Sequence, residues 1–539
     1  MVNYGKFPHE SIREEQKLAV DWLNESDKKY LILELPTGVG KSAIGYSICE
    51  SAENGGFYLV ATNQLCQQIV DQYGCLTIKG RAHYKCAKNG YSTTCETGPC
   101  LADKRLISQC IGAEACDYYC LRERIKKQKT FLTNDAFFLR CVQCADWLTK
   151  RSVVVFDEAH DLESQLVSMA LIDLDLHSFV EEFYGPEEMT DEVKALVAST
   201  PTDERKTTPR ATHEWMCKVH ALVVEPKWEK VKAQMEELST MFGDKTMLKK
   251  LIDLHQKQYL KLDKLREKGL VFMETKADDW LYEYKDGKVK ATPLDVSWVF
   301  DKFLEPFGER FVFMSATIVD HVNFAKQLGL PLDQVGYFTC DSPFPPEKSP
   351  IYVLPQIETN YESLQNKETM DSIVESVKFF MEKHPNEKGL IHCGNMKIAR
   401  ALKYGLKSNR LLVRLDDDTN SVILEKHMES KAPTVLVSSS MLEGVDLKDD
   451  LSRWMLLIKC PWLSLGDKRV KKLSETRGDW YLWTMILKFV QSAGRSTRSE
   501  TDRSTTYVID KSFPFWFKKA KEKGWLQPQF LKRVKFQGK

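Results

Sequence analysis

The chain has 539 residues, 43% of them hydrophobic, with 77 Lys and Arg against 76 Asp and Glu and a formal net charge of +1. That length exceeds what one hydrophobic core organises, so roughly three or four domains are expected. The charge balance excludes a whole-molecule electrostatic footprint, and any nucleic-acid surface must come from local segregation of charge.

The N-terminus, MVNYGKFPHESIREEQ, lacks the apolar stretch of a secretory signal, and no window approaches the ~20 apolar residues of a membrane span. The expectation is a soluble, cytoplasmic protein without membrane association. In a reducing compartment its fifteen cysteines do not read as disulfides, and a tight cluster among them reads as a metal or cluster site. Scattered ones such as Cys49, Cys66 and Cys217 read as packed thiols in helices.

Apolar runs at Tyr30 to Leu35, Gly56 to Ala61 and Ser152 to Phe156 read as short buried strands, with helical patterns after the first two. Such alternation predicts a parallel sheet covered on both faces. The first strand runs into ELPTGVGKS, Glu34 to Ser42, and the third into VVVFDEAH, Val153 to His160. Gly38 and Gly40 stand where backbone must approach phosphate closely, and a helix beginning at Lys41 offers its N-terminus to an anion. Leu35 replaces the first glycine of the full phosphate-loop pattern, so the loop alone is only moderately specific. The two motifs together specify an ATP site. Lys41 is expected to reach the β and γ phosphates, Ser42 and Asp157 to hold Mg2+, and Glu158 to orient the attacking water, with Thr37 in the phosphate turn.

A cluster of six cysteines lies between these motifs: Cys86, Cys95, Cys100, Cys110, Cys116 and Cys120. Lys79 to Lys129 also carries an excess of Lys and Arg, which suits a phosphate-facing surface. His83, Tyr84, Tyr91, Tyr118 and Tyr119 are ring candidates to stack on bases, with packing at least as good a reading for each tyrosine. Four thiolates complete a 4Fe-4S cluster. Zinc is the other metal such a set would take, and Cys141 with Cys144 has CxxC spacing, although the pair reads better as neighbours on one helix.

Glu163 to about Leu304 is rich in Glu, Lys, Leu and Met, has helical spacing over Trp228 to Lys268 and few strand signals, and is expected to be a mostly helical insertion. A strand resumes at Arg310 to Met314, before SATI, Ser315 to Ile318. DSPFPPEKSP, Asp341 to Pro350, marks a linker. A second alternating region has strand candidates at Lys388 to His392, Leu411 to Leu415, Thr434 to Ser438, Trp454 to Lys459 and Thr505 to Ile509, with helices at Asp371 to Glu382 and Trp480 to Gln491. Two such α/β halves suggest RecA-like domains with ATP between them. Arg495 and Arg498 stand three apart in GRSTR, so on a helix both face one way and can meet the phosphates across the cleft.

These motifs resemble those of superfamily-2 helicases: LPTGVGKS, DEAH and SATI for motifs I to III, ATNQLCQQ for Ia, SSSMLEGVDLKDD for V and QSAGRSTRS for VI. The cysteine insertion, opened by KGRAHYKC and closed by CDYY, together with DSPFP and EGVD, looks like the XPD/DinG family of iron-sulfur DNA helicases, here as a compact bacterial or viral member. The resemblance implies two RecA-like parallel-sheet domains, the first assembled from residues 1–74, 131–162 and 305–345 and interrupted by an iron-sulfur domain, 75–130, and a helical Arch-like insertion, 163–304. Residues 346–539 form the second. It further implies a monomer moving 5′ to 3′ on single-stranded DNA and opening forked duplex, with the cluster domain as wedge. Cys86, Cys100, Cys110 and Cys116 are the implied cluster ligands, with Cys95 able to replace Cys100 and Cys120 a packed thiol. Gln16 matches an adenine-contacting glutamine, though a helix-surface glutamine is nearly as good a reading. Ser315 and Thr317, with Glu443 and Asp446 from the second half, are implied to couple ATP to motion.

Overall fold

The computed structural model describes residues 2–87, 91, 93–98, 100, 107–108, 110, 116–144, 147–240, 245–413, 420–439, 449–493 and 502–537. The first half contributes strands β1 (Tyr30–Glu34), β2 (Gly56–Val60), β3 (Thr130–Asn134) and β4 (Arg151–Asp157). Helices follow up to a three-stranded antiparallel sheet of β5 (Ile172–Leu174), β6 (Trp280–Lys285) and β7 (Lys288–Pro293). The chain then returns through β8 (Gly308–Ser315) and β9 (Val335–Thr339). β1 to β4 with β8 and β9 form one six-stranded parallel sheet in the order β3-β2-β4-β8-β1-β9.

β1 and β2 are buried at every position, as expected for parallel strands covered by helices on both faces. Phe156 and Phe313 stack across β4 and β8 at 5.5 Å, nearly parallel, in the centre of that core. Cys49 and Cys66 are buried and Cys217 half-buried, all on helices, as packed thiols should be.

The helical reading of 163–304 holds for most of its length, including helices Glu225–Thr240 and Lys245–Met273. It misses the β6–β7 hairpin, whose turn is Asp286-Gly287, both with positive φ. An Asp-Gly pair between alternating residues is a strong hairpin signal, because both turn positions need the left-handed region.

The second half forms a seven-stranded parallel sheet from β10 (Ile351–Ile357), β11 (Gly389–His392), β12 (Leu411–Val413), β13 (Val435–Ser438), β14 (Trp454–Leu457), β15 (Thr505–Asp510) and β16 (Val534–Phe536), in the order β12-β13-β11-β14-β15-β10-β16. Trp454 is fully buried at its centre, stacked on His384 at 5.2 Å, and fills the space above Gly389, where a Cβ would fall 2.2 Å from its ring. Trp454→Ala is therefore expected to destabilise the fold by about 3–5 kcal/mol, read as a lower urea midpoint by circular dichroism. An unchanged midpoint would mean that this ring does not organise the core.

The halves are joined by directional contacts. The fully buried Trp483 donates its Nε1–H to the Ile318 carbonyl at 3.0 Å, Arg469 pairs with Glu163, and Arg477 pairs with Asp295 at 2.6 Å. Among the described residues no helix is long and apolar enough to cross a membrane.

Candidate functional site

Strand register assembles the site. Glu34 at the end of β1 lies opposite Ser315 of β8, and Met314 of β8 lies opposite Asp157 of β4. Neighbouring strands are about 4.8 Å apart, so the loops leaving β1, β8 and β4 emerge side by side at one carboxyl edge. That edge is where open parallel sheets bind ligands.

After β1 the chain turns through Gly38 and Gly40, with φ of +87° and +88°, conformations that side-chain-bearing residues rarely adopt. Helix Lys41–Ser51 begins at Gly40, so its unpaired N–H groups face the turn. Thr37 lies within the turn. Gln16 is buried: its Nε2 donates to the Gly40 carbonyl at 3.4 Å and its Oε1 accepts from the Arg13 N–H at 3.0 Å. It packs against the phosphate turn instead of lying on a helix surface. Arg13, which sequence reasoning missed, donates its guanidinium to the Gly38 carbonyl.

Lys41 Nζ stands 3.7 Å from Glu158 Oε1. Asp157 is buried at the end of β4, and burial first, then the neighbouring Glu158 carboxylate, push it up to about 6 against the pull of Lys41. Tyr58 was also missed. Its hydroxyl donates to Asp157 Oδ2 at 3.2 Å, so a buried phenol holds one of the two expected magnesium ligands. The available signal was a tyrosine in a wholly buried strand, whose hydroxyl needs a partner. Asp135 is another buried acid near Asp157. Burial pushes it up to about 7, and Gln165 donates to its Oδ2 at 3.2 Å.

Glu158 has a left-handed backbone, φ +55°, which turns the chain so that His160 reaches β8. His160 Nδ1 lies 2.8 Å from Ser315 Oγ. That hydroxyl gives its proton to the Thr317 carbonyl and accepts from the Thr317 N–H, both at 3.0 Å, which assigns the His160 proton to Nδ1. Glu34 secures the next loop: one carboxylate oxygen accepts from the N–H groups of Ile318 and Val319 at 2.9 and 3.0 Å, and the other from Tyr337 at 2.6 Å. Arg495, Arg498, Glu443 and Asp446 lie outside the described residues.

In the cysteine-rich segment Cys86, Cys95, Cys100, Cys110 and Cys116 are all buried, and Cys120 is half-buried on helix Asp117–Lys126. Cys95 Sγ stands 3.7 Å from Cys116 Sγ, while the thiols of Cys86 and Cys100 both lie against Gly98. The Cys86 thiol, then burial and the Cys116 thiol push Cys95 up, and burial pushes Cys100 up. Packing thus brings Cys95 into the group as well as Cys86, Cys100 and Cys116. Among the described residues no three His, Cys, Asp or Glu side chains already stand as a metal-binding group. Tyr118 and Tyr119 are buried under the Arg81 guanidinium at 5.3 and 5.5 Å, so they pack and are not free to stack on bases. Cys141 and Cys144 share helix Asp135–Cys144.

Comparison with known proteins places this geometry. The family described as "Helicase C-terminal domain" matches residues 381–529, and "Type III restriction enzyme, res subunit" matches residues 9–183. A curated relative, "ATP-dependent DNA helicase YoaA" of Haemophilus influenzae, is 21% identical over 299 residues, 52% of this chain and 45% of that protein, so the match spans under half the relative's length. A solved structure titled XPD helicase superimposes over 98% of this chain and 100% of its own, with a TM-score of 0.63 at 14% identity. An Xpd protein of S. tokodaii does so over 97% and 99%, with a TM-score of 0.58 at 14% identity. In fold the chain is similar to the XPD helicases, and its two halves separately match a helicase C-terminal domain and a restriction-enzyme res subunit.

Proposed function

We propose that the chain is an ATP-driven, DEAH-type DNA helicase that moves 5′ to 3′ on single-stranded DNA and splits forked duplex against its cysteine-rich segment, in repair, replication or recombination. The observation that carries this reading is the meeting of Lys41, Asp157, Glu158 and Ser315 at one carboxyl edge of an XPD-like fold.

In this reading ATP phosphates rest on the Gly38–Gly40 turn and the start of the following helix, with Lys41 directed at the β and γ positions and Gln16 and Thr37 completing the pocket. Ser42 and Asp157 hold Mg2+. A buried carboxylate whose charged form is penalised, held by the Tyr58 hydroxyl, suits such a cation. When bound, the ion neutralises charge as the γ-phosphoryl leaves. Glu158 orients water, and Arg495 and Arg498, with Asp446, act from the second half. The His160–Ser315–Thr317 contacts carry the state of the acidic motif to the loop that touches Trp483 of the second half.

Cys86, Cys100, Cys110 and Cys116 are proposed to hold a 4Fe-4S cluster, with Cys95 as the alternative to Cys100. Buried thiols gathered in one insertion suit a four-thiolate group, which would crosslink that insertion. A single zinc ion is the second reading, favoured by one distance. The 3.7 Å between Cys95 and Cys116 is close to the roughly 3.8 Å edge of a tetrahedron with about 2.3 Å metal–sulfur bonds.

The test compares wild type with Lys41→Ala on forked duplexes carrying a 5′ or a 3′ tail. Single-stranded DNA is expected to stimulate ATP hydrolysis, the 5′-tailed fork to be opened preferentially, and the lysine variant to lose both by about two orders of magnitude or more. Stimulated hydrolysis without strand displacement would instead mark a translocase that displaces proteins. Absence of stimulation would overturn the motor reading.

A further inference from the structure

The C-terminal stretch 527–533, centred on the short helix Pro528–Arg533, reaches both edges of the proposed ATP site. Gln529 grips the backbone of one residue twice: its Oε1 accepts from the Ser342 N–H, and its Nε2 donates to the Ser342 carbonyl at 2.8 Å. Ser342 Oγ then accepts from the Phe344 N–H at 3.2 Å. The Phe344 ring sits on the phosphate turn so closely that a Cβ at Gly38 would fall 2.2 Å from it. Two residues before Gln529, Gln527 donates to the Tyr337 hydroxyl at 3.3 Å, and that hydroxyl donates to Glu34, immediately ahead of the turn.

The other end of the same stretch contacts the rest of the second half, to which it belongs. Arg533 donates Nη2 to the Ala493 carbonyl at 2.7 Å, at the end of helix Trp480–Ala493, from which the chain runs on to Arg495 and Arg498. Its Nε donates to the Ser349 carbonyl at 2.8 Å. Seven consecutive residues therefore connect the phosphate turn with the C-terminus of the helix that precedes Arg495 in the chain, through side-chain amides and a guanidinium, groups whose hydrogen bonds are directional and short-ranged.

We propose that 527–533 is a coupling clasp, in which Gln529, acting through Phe344, and Arg533 are positioning residues that link occupancy of the phosphate turn to placement of the helix end before Arg495. The inference rests on the ATP-site reading above. A nucleotide entering beside Gly38 meets the Phe344 ring. Any shift of that ring is passed through Ser342 and Gln529 to a helix that also holds Ala493.

The test uses the full chain with Gln529→Leu, Gln529→Glu and Phe344→Leu. The readout is the ratio of DNA-stimulated to unstimulated ATP turnover, from which the fraction of folded enzyme cancels. The ratio is expected to fall roughly tenfold in Gln529→Leu, a usual size for coupling between sites. Gln529→Glu, which keeps the acceptor and loses the donor, should fall between wild type and Gln529→Leu. Adding Phe344→Leu to Gln529→Leu should cost nothing further, because both lie on one path. An unchanged ratio, or losses that multiply, would overturn the clasp. Amide exchange separates this from failure of the motor reading. In wild type a non-hydrolysable ATP analogue should protect 337–344 and 527–533 together, and in Gln529→Leu only the former. Protection confined to 337–344 in wild type overturns the clasp whether or not the protein proves to be a DNA motor.

Discussion

Glu158→Gln is expected to retain ATP binding and to lose about two to four orders of magnitude in turnover, the usual contribution of a positioned general base. The glutamine preserves volume and leaves Asp157, Ser42 and Tyr58 to hold the magnesium site, so affinity for nucleotide should survive. It removes the carboxylate that faces Lys41 at 3.7 Å and that the left-handed turn of residue 158 directs away from the strand. Phosphoryl transfer depends on alignment of the attacking water more than on covalent chemistry, so the loss should appear in kcat. Equilibrium binding of a fluorescent ATP analogue beside steady-state hydrolysis checks both halves of the statement. Hydrolysis at the wild-type rate would remove Glu158 from the mechanism.

Cys116→Ser is expected to separate the two activities: strand displacement should fall by roughly tenfold or more while ATP hydrolysis stays within about twofold, because the thiol group organises a small domain and not the nucleotide pocket. Protein purified without oxygen should be brown in wild type and pale in this variant, with iron and acid-labile sulfide falling together. Serine variants of Cys95 and Cys100, measured the same way, decide which of the two is a ligand. Cys95 is the thiol that stands beside Cys116. Stoichiometric zinc in a colourless wild type would replace the cluster with a single tetrahedral ion. Loss of hydrolysis together with displacement would show that the segment supports the whole first half.

The readability of this chain followed the physics of each element. β1, β2 and β4 announce themselves because a parallel strand buried on both faces is a continuous apolar run. β3, TFLTN, and β9, VGYFT, lie at the two margins of the first sheet, and their mixed composition gives no such run. The site was legible where backbone geometry demands a residue type, as at Gly38 and Gly40, or where chemistry does, as at Lys41 and Asp157. Tyr58, Arg13, Asp135 and Glu34 were not legible, because each acts across the fold on a partner remote in the chain. Tyr118 and Tyr119 were open between stacking on bases and packing, and their burial beneath Arg81, which depends on tertiary contacts, decides for packing.

The strand that leads into the phosphate turn has neither of its neighbours nearby in the chain, since β1 lies between β8 and β9. Glu34 can grip the Ile318 and Val319 amides only after those residues exist. During synthesis at roughly 5–20 residues per second, the ribosome therefore holds an unfinished pocket for tens of seconds. Nascent chains halted before residue 308 should present β1 with open edges to chaperones, and nucleotide capture should begin only once translation has passed β9.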